Sequence, residues 1–306
     1  MLYERIFGSG NRRGILAMSL GIILFVVNEA LCKLVFATVP TSQVMAVRGG
    51  IALLLILAAA HATGATRQIA GALDRGVLMR SLADLFGSYL YMFALFQMPI
   101  GNMMAINMAS PLMMTATVAL LLREPVGWRR WSAVVAGFIG VLLVVQPRAE
   151  SFNAYSLVAV AAVCCLVVRD LVTRAIAPGV PSLIVILTNV GMMAAVTSAA
   201  ATVEGWVPMG WYELLLLGIA AVFIAAGYLL VVDAFRHAEV PVIVPLRYTG
   251  LLWALLIGWL VWGDVPNEMA TAGILLIVAS GLYVLHRERV RGRVLPPADP
   301  PGSPAP

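Results

Sequence analysis

The sequence predicts an all-α membrane protein with ten transmembrane helices, arranged as two inverted five-helix repeats with both termini in the cytoplasm. Three observations lead to this prediction. Of the 306 residues, 61% are apolar and only 11% are charged, whereas a soluble domain carries about 25% charged residues. The apolar residues fall into ten separate stretches, and the sequence resembles itself at a shift of about 141 residues. This composition excludes a water-soluble globule, a disordered chain and a nucleic-acid-binding protein.

Each apolar stretch is long enough to cross a bilayer, which takes about 20 residues. Because a lipid-exposed backbone must satisfy its own hydrogen bonds, we expect the stretches to be helices. The first follows two arginines but is too long for the apolar part of a signal peptide, so we expect it to be retained. The predicted spans are 14–35, 42–62, 77–97, 102–122, 129–147, 155–174, 182–202, 212–235, 241–262 and 268–286.

The basic residues set the orientation. With the N-terminus inside, sixteen of the twenty lysines and arginines fall on inner segments or helix ends, one falls outside (Arg148), and three lie within spans. This asymmetry is the positive-inside pattern of a protein with both termini in the cytoplasm. We therefore expect a multi-pass membrane protein, with residues 1–13 cytoplasmic and residues 287–306 forming a disordered basic and proline-rich cytoplasmic tail.

The internal repeat places 28–33 over 169–174, Pro40 over Pro181 and Arg48 over Asn189. The repeats are predicted to occupy 14–147 and 155–286. Each holds five spans, and because five is odd, the second copy enters the membrane from the opposite side. Inverted repeats of this kind are typical of secondary transporters.

The first repeat carries the pattern K-x6-P-x7-R, formed by Lys33, Pro40 and Arg48, and continues with ASPLMMTATVALLLREPVGWRRWSAVVAGFIGVLLV. The second ends with LLWALLIGWLVWGDVPNEMATAGILLIVASGLYVL. The sequence resembles the EamA-type ten-helix branch of the drug/metabolite transporter superfamily over about residues 14–286. It departs from the family pattern at Asp264, where glutamate is usual, and at Leu251, which lies opposite Pro111 of the first repeat. The resemblance implies transport of a small molecule, with export favoured and amino acids, including aromatic ones, as expected substrates.

Ionisable residues at bilayer depth usually face a cavity or a partner. Because the repeat is inverted, we expect two polar layers, in which an outer and an inner set gate opposite mouths of one central site. A simpler alternative is that i, i+4 pairs of acid and base neutralise each other on one helix, with Lys33 and Arg174 reaching the interfaces. The predicted gating residues are Glu29, Lys33, Arg48, Asp170, Arg174 and Asn189.

Polar and aromatic side chains between the layers are candidates for binding an amphipathic or planar solute. Tyr248 is the strongest candidate, because it follows Arg247 beneath a helix start that Pro241 and Pro245 break. Arg247 is predicted to hold a carboxylate, and Asp84 or Asp170 an amino group, as a zwitterion requires. The predicted substrate-binding residues are Asp84, Tyr89, Asn107, Arg247, Tyr248 and Trp253.

Other functions fit the sequence less well. A membrane-embedded lipid-modifying enzyme needs clustered acid–base, nucleophilic or metal-binding residues, but the three histidines (His61, His237 and His286) are scattered at helix ends. A channel needs a ring of like charges or carbonyls around a pore. No nucleotide-binding loop of the GxxxxGK[ST] type is present. We therefore expect a transporter without cofactor or metal, working as a monomer on a small molecule in the bilayer; a drug-like cation or another metabolite stays an alternative substrate, and uptake an alternative direction.

Overall fold

The computed structural model describes the backbone of residues 9–121, 127–146, 153–173, 176, 179–238 and 240–292, and this part of the chain is helical without strands. In it we number twelve α-helices and two 3₁₀ segments. The helices are α1 (Ser9–Val35), α2 (Thr41–Ala62), α3 (Arg75–Gln97), α4 (Ile100–Asn107), α5 (Ser110–Leu121), α6 (Trp128–Val145), α7 (Tyr155–Thr173), α8 (Ser182–Glu204), α9 (Trp211–His237), α10 (Val240–Ile243), α11 (Thr249–Trp262) and α12 (Glu268–Gly292). The 3₁₀ segments are Ala65–Leu73 and Val244–Tyr248.

Seven helices of the described part are long and apolar enough to cross a membrane: Arg12–Val35, Thr41–Ala62, Tyr155–Thr173, Ser182–Glu204, Trp211–Phe235, Val244–Trp262 and Glu268–Arg287. Trp131–Val145 is a shorter apolar helix. The predicted third span forms α3, which has the length of a span but carries Arg75, Arg80 and Asp84. The all-helical membrane class is confirmed, and the count of ten spans stays a prediction.

The predicted span 102–122 is not one continuous helix. It is divided into α4 and α5, with Met108 and Ala109 between them. Pro111 has no N–H and cannot bond the carbonyl four residues earlier, so a continuous helix would be interrupted here. The turn is closed instead by bonds from the Ala109 N–H to the Ile106 carbonyl and from the Leu112 N–H to the Ala109 carbonyl.

Two more boundaries differ in detail from the expectations. The ninth predicted span begins irregularly, with the four-residue α10 and a 3₁₀ segment ahead of α11, as its two prolines indicate. At the C-terminus α12 continues to Gly292, beyond the predicted helix end at 286, because residues 287–292 are mostly good helix formers. The rest of the predicted tail lies outside the described residues.

The packing of the helices has the symmetry that an inverted repeat predicts. The main contacts join α1 to α9, α3 to α7, α2 to α8 and α6 to α12. If each of the first five predicted spans is exchanged with its counterpart in the second half, α1 is replaced by α7 and α9 by α3. The α1–α9 contact then becomes the α7–α3 contact. The α2–α8 and α6–α12 contacts stay the same, because the two helices of each pair are counterparts. Every one of these contacts therefore joins one half of the chain to the other.

The backbones of α6 and α12 approach each other closely where the two helices cross, at Gly140 and Gly273. A Cβ atom placed on Gly140 would lie 2.8 Å from the carbonyl oxygen of Gly273, and one on Gly273 would lie 2.6 Å from the carbonyl oxygen of Gly140. Small residues at such crossings let helices in a membrane approach and pack without a hydrophobic driving force. These glycines fix the contact between the last spans of the two halves.

The bundle has two ends, which we name after residues of α1. At the Arg13 end, the Arg13 side chain bonds Asp233 near the end of α9, with its Nη2 2.6 Å from Oδ1. At the Lys33 end, the Lys33 amino group bonds the carbonyl of Met98, just after α3, and lies 5.1 Å from the ring centre of Trp262. Each contact joins an N-terminal-half residue to one distant in sequence, so both ends are held by tertiary contacts.

Candidate functional site

A cavity of about 670 Å³ lies between the two halves of the chain. Helices α1 to α4 line it from the first half, and α7, α8, α9 and the segment around α11 line it from the second. Its lining runs from Glu29 and Tyr91 in the middle of the bundle to Thr173, Ser182 and Phe235 at the Arg13 end. The volume lies within the range of pockets for drug-sized ligands, about 300–1,000 Å³.

The Lys33 end is closed by hydrogen bonds between the halves. Gln43 at the start of α2 is fully buried and exchanges two bonds with the backbone of Val207, at 2.7 and 2.9 Å. Ser42 donates to the Glu204 carboxylate, and Asn153 donates to the carbonyl of Gln97 at 2.6 Å. None of these residues lines the large cavity, which therefore extends toward the Arg13 end only.

A second, smaller cavity of about 260 Å³ lies at the Lys33 end. Its polar lining includes Asn102, Asn153, Asp264 and Asn267. The lining residues of the two cavities do not overlap, so packed side chains separate them.

Arg48 lies on α2 and is only 5% exposed. Its Nη1 donates to Asn28 Oδ1 on α1 at 3.1 Å, and its Nε has no hydrogen-bond partner. A buried donor without a partner is unfavourable by about 1–3 kcal/mol. Arg48 lines the cavity, so its positive charge can attract a solute there, while the Nε itself is enclosed by protein.

Asp84 on α3 joins the two halves beside the cavity. It is 3% exposed and accepts from Arg169 Nη1 on α7 and from Asn189 Nδ2 on α8, each at 2.6 Å. Arg169 also pairs with Asp170 at 2.8 Å. Charge-assisted bonds of this length are the strong class of hydrogen bond, so this cluster links α3, α7 and α8 beside the cavity.

Glu29 on α1 faces the cavity as well. Its Oε2 accepts from the Tyr91 hydroxyl of α3 at 3.0 Å. Arg48 bonds the neighbouring Asn28 rather than Glu29, and the described residues give Glu29 no ion pair. Glu29 is thus a carboxyl group held in position by a neutral donor.

Several predicted residues meet in the cavity. The structure places the predicted outer set and inner set on one continuous lining rather than in two separate layers. The predicted residues that line the cavity are Glu29, Arg48, Asp84, Asn107, Asn189 and Arg247. Asp170 is not part of the lining, but its carboxylate accepts a hydrogen bond from the lining residue Arg169.

The other predicted residues lie elsewhere. Tyr89 approaches Glu204, with 3.4 Å between the hydroxyl and Oε1. Tyr248 is buried against Gly281, where a Cβ atom would collide with its hydroxyl. Trp253 is 37% exposed and does not line the cavity. Lys33 does not line the cavity and instead contacts Met98 and Trp262. Arg174 lies outside the described residues.

Sequence reasoning missed four residues that the structure brings to the cavity: Asn28, Arg80, Arg169 and Tyr228. Arg80 and Arg169 are among the sixteen basic residues counted on inner segments or helix ends, because they lie near the ends of predicted spans. One signal for Arg169 was available, since the repeat aligns it with Asn28, and both occupy the cavity from equivalent helices. Tyr228 packs edge-on against Phe25, with ring centres 5.3 Å apart.

A cavity of mixed charge thus lies between two halves of the bundle, an arrangement typical of secondary transporters. The EamA-like transporter family model matches residues 12–146. The chain is 24% identical over 212 residues to the S-adenosylmethionine uptake transporter of Rickettsia bellii, covering 69% of this chain and 72% of that protein. It is 28% identical over 261 residues to the riboflavin transporter of Vibrio cholerae, covering 83% and 86%.

A pseudopaline exporter of Pseudomonas aeruginosa is 28% identical over 284 residues, covering 88% of this chain and 94% of the exporter. A protein of known crystal structure superposes with a TM-score of 0.59 at 20% identity, over 90% of this chain and 98% of the other, which shows a shared fold. These relatives are named as transporters, and the similarity supports transport of small metabolites rather than an enzymatic function. The family match covers the first half of the chain, and together with these relatives it makes the chain similar to EamA-type drug/metabolite transporters. The chain is a multi-pass protein of the bacterial inner membrane.

Proposed function

We propose that the chain is a secondary transporter with ten spans that moves small amphipathic metabolites by alternating access, with amino acids as the first substrate class and export as the direction. The observation that carries this proposal is the cavity of about 670 Å³ between the halves. It extends to one end of the bundle, while hydrogen bonds close the other. Such an arrangement is one half of an alternating-access cycle.

Orientation follows from charge. With the arginine-rich segments inside, the Arg13 end is cytoplasmic, so the conformation described above faces inward. In the outward-facing conformation the bonds of Gln43 and Ser42 would break and the cavity at the Lys33 end would join the central one. The predicted gating residues Lys33 and Asp170 lie near the two ends of this path.

An amino acid needs a partner for its carboxylate and one for its amino group. Arg48 and Arg247 both line the cavity, and their guanidinium charges are the partners we assign to the carboxylate. Glu29 offers an oxygen for an ammonium group, whereas Asp84 already accepts from Arg169 and Asn189. We therefore assign the amino-group role to Glu29 in place of the earlier expectation of Asp84 or Asp170.

The relatives are named as metabolite transporters, and they differ in substrate and in direction. Their names include uptake of S-adenosylmethionine and export of pseudopaline, and S-adenosylmethionine carries an α-amino carboxylate. Because one chain supplies both halves of the cavity, we propose that a monomer is the functional unit, with its repeats at 14–147 and 155–286.

The test is transport in proteoliposomes with a panel of labelled amino acids, nucleosides and cationic drugs, with and without a pH gradient and in both directions. Arg48→Leu removes the free guanidinium, and we expect it to abolish transport while the protein stays folded in detergent. Arg129→Leu is the matched control, because Arg129 is exposed on α6 beside Trp128 and outside the cavity. Normal transport by Arg48→Leu would refute the assigned site, and no transport of any panel member by the parent protein would refute the substrate class.

A further inference from the structure

We propose, on the basis of the proposed function, that the transported metabolite is an amphipathic organic anion. Its acidic groups outnumber its amino groups, and its apolar part lies against the Phe25–Tyr228 pair. This inference concerns the net charge of the substrate. A neutral zwitterion has a net charge of zero, whereas we expect the preferred substrate to be negative. The inference depends on the balance of charges in the cavity and on which of those charges already have partners.

The charge balance of the described lining is positive. The lining holds four arginines: Arg48, Arg80, Arg169 and Arg247. It holds two carboxylates, Glu29 and Asp84, and Asp170 adds a third beside Arg169. Even with every carboxylate ionised, one positive charge remains without a negative counterpart in the described part of the site.

The pairing of these charges shows where the excess lies. Asp84 and Asp170 both bond Arg169. Within the described residues, neither Arg48 nor Arg247 forms a salt bridge. Arg80 forms none either and bonds only the Thr173 hydroxyl. The excess positive charge therefore lies among Arg48, Arg80 and Arg247, and Glu29 is the lining carboxyl without a salt bridge in the described residues.

An unpaired guanidinium at bilayer depth is costly. Arg48 is 5% exposed and keeps a buried Nε without a partner, so water does not compensate its charge well. A bound anion would supply the missing negative charge in a medium of low dielectric constant, where the attraction is several times stronger than in water. A bound cation would add a further positive charge and would find only Glu29 to receive it.

The apolar side of the cavity determines the rest of the substrate. Phe25 and Tyr228 form an edge-to-face pair, with an interplanar angle of 70°, and both line the cavity. Met104 and Met193 also line it, and methionine side chains adapt to irregular or planar groups. A solute with an acidic end and an apolar or planar body matches this division.

The experiment uses three compounds with one scaffold and three charges: N-acetylphenylalanine (anion), phenylalanine (zwitterion) and phenylalanine amide (cation). Binding to the full chain in lipid nanodiscs is measured by thermal stabilisation over a concentration series. We expect the anion to bind about tenfold or more tightly than the cation, with the zwitterion between them. Equal or tighter binding of the cation, or no stabilisation by the anion at millimolar concentrations, would overturn the inference.

Variants separate charge from structure. Arg247→Gln should remove most of the preference for the anion, Arg247→Lys should keep it, and Arg247→Glu should shift the preference toward the cation. Arg129→Gln, at the exposed control position, should leave the preference unchanged. An unchanged preference in Arg247→Glu would overturn the assignment.

Transport assays distinguish this inference from the proposed function. Anion-selective binding without flux in proteoliposomes would contradict the transport proposal and leave the charge assignment standing. Equal flux of zwitterions and cations would support the transport proposal but contradict the charge assignment, because transport would then occur without selection for negative charge.

Discussion

Asp84 is the residue whose removal should most weaken the contact between the two halves. It accepts two hydrogen bonds of 2.6 Å, from Arg169 and from Asn189, and it is 3% exposed. Asp84→Ala would leave the Arg169 guanidinium with Asp170 alone and Asn189 without its acceptor. Because the cluster ties α3 to α7 and α8, we expect both stability and transport to fall.

The magnitude follows from the partners that remain. Breaking a buried ion pair by removing one member is destabilising by about 3–5 kcal/mol. Arg169 still pairs with the Asp170 carboxylate at 2.8 Å. We therefore expect the loss in the free energy of unfolding to lie at the lower end of this range, about 3 kcal/mol. Asp84→Asn keeps the shape and one neutral bond, so its loss should be about 1.5–3 kcal/mol, the range for a hydrogen bond to a charged group.

The assay is equilibrium unfolding in mixed micelles by titration with a denaturing detergent, followed by circular dichroism. Glu268→Gln is the matched control, since Glu268 is an exposed carboxylate in the first turn of α12, and its loss should be at most about 1 kcal/mol. The double variant Asp84→Asn with Asn189→Asp returns a carboxylate to the neighbouring helix and should recover part of the stability. If Asp84→Ala lost less than about 1 kcal/mol, the cluster would not hold the halves together as reasoned from buried ion pairs.

Three more predictions test other parts of the molecule. Gly140→Ala should lose about 1–3 kcal/mol of stability in the same titration, because its Cβ would meet a backbone carbonyl at 2.8 Å; Gly50→Ala, where nothing lies within 4 Å, should be neutral or stabilising. Gln43→Ala removes two bonds at the Lys33 end and should speed amide hydrogen exchange in the α8–α9 loop about tenfold or more; unchanged exchange would contradict the closure. Tyr91→Phe removes the hydroxyl that donates to Glu29. Because this bond holds the Glu29 carboxyl in position, we expect the KM for transport to rise about tenfold. An unaltered KM would show that the bond does not position Glu29 for substrate binding.

Much of the site was predictable from the chain alone. Arg48, Asp84 and Arg247 were selected because an ionisable side chain in an apolar span needs a cavity or a partner, and all three line the cavity. Arg169 was not selected, because a basic residue near a span end is ordinarily a rim residue. Its position beside Asp84 depends on how α7 packs against α3, which no local pattern reveals.

The aromatic residues show the same division. Tyr248 stood out in the sequence because it follows Arg247 and two prolines, yet it packs on Gly281. Phe25 and Tyr228 gave no signal, since aromatic residues in apolar spans are common. Their meeting across the cavity follows from the contact of α1 with α9, two helices about 200 residues apart in the chain.

Length, hydropathy and charge asymmetry act locally along the chain, and they were enough to predict the all-helical membrane class, most of the apolar helices and an inverted relation of the two halves. The sequence did not reveal the break near Pro111, where one continuous span over 102–122 was expected. The tertiary structure decided which charges meet, which of them stay unpaired, and which end of the cavity is open. These depend on the rotation and crossing of packed helices, where a turn of about 100° per residue moves a side chain from lipid to cavity.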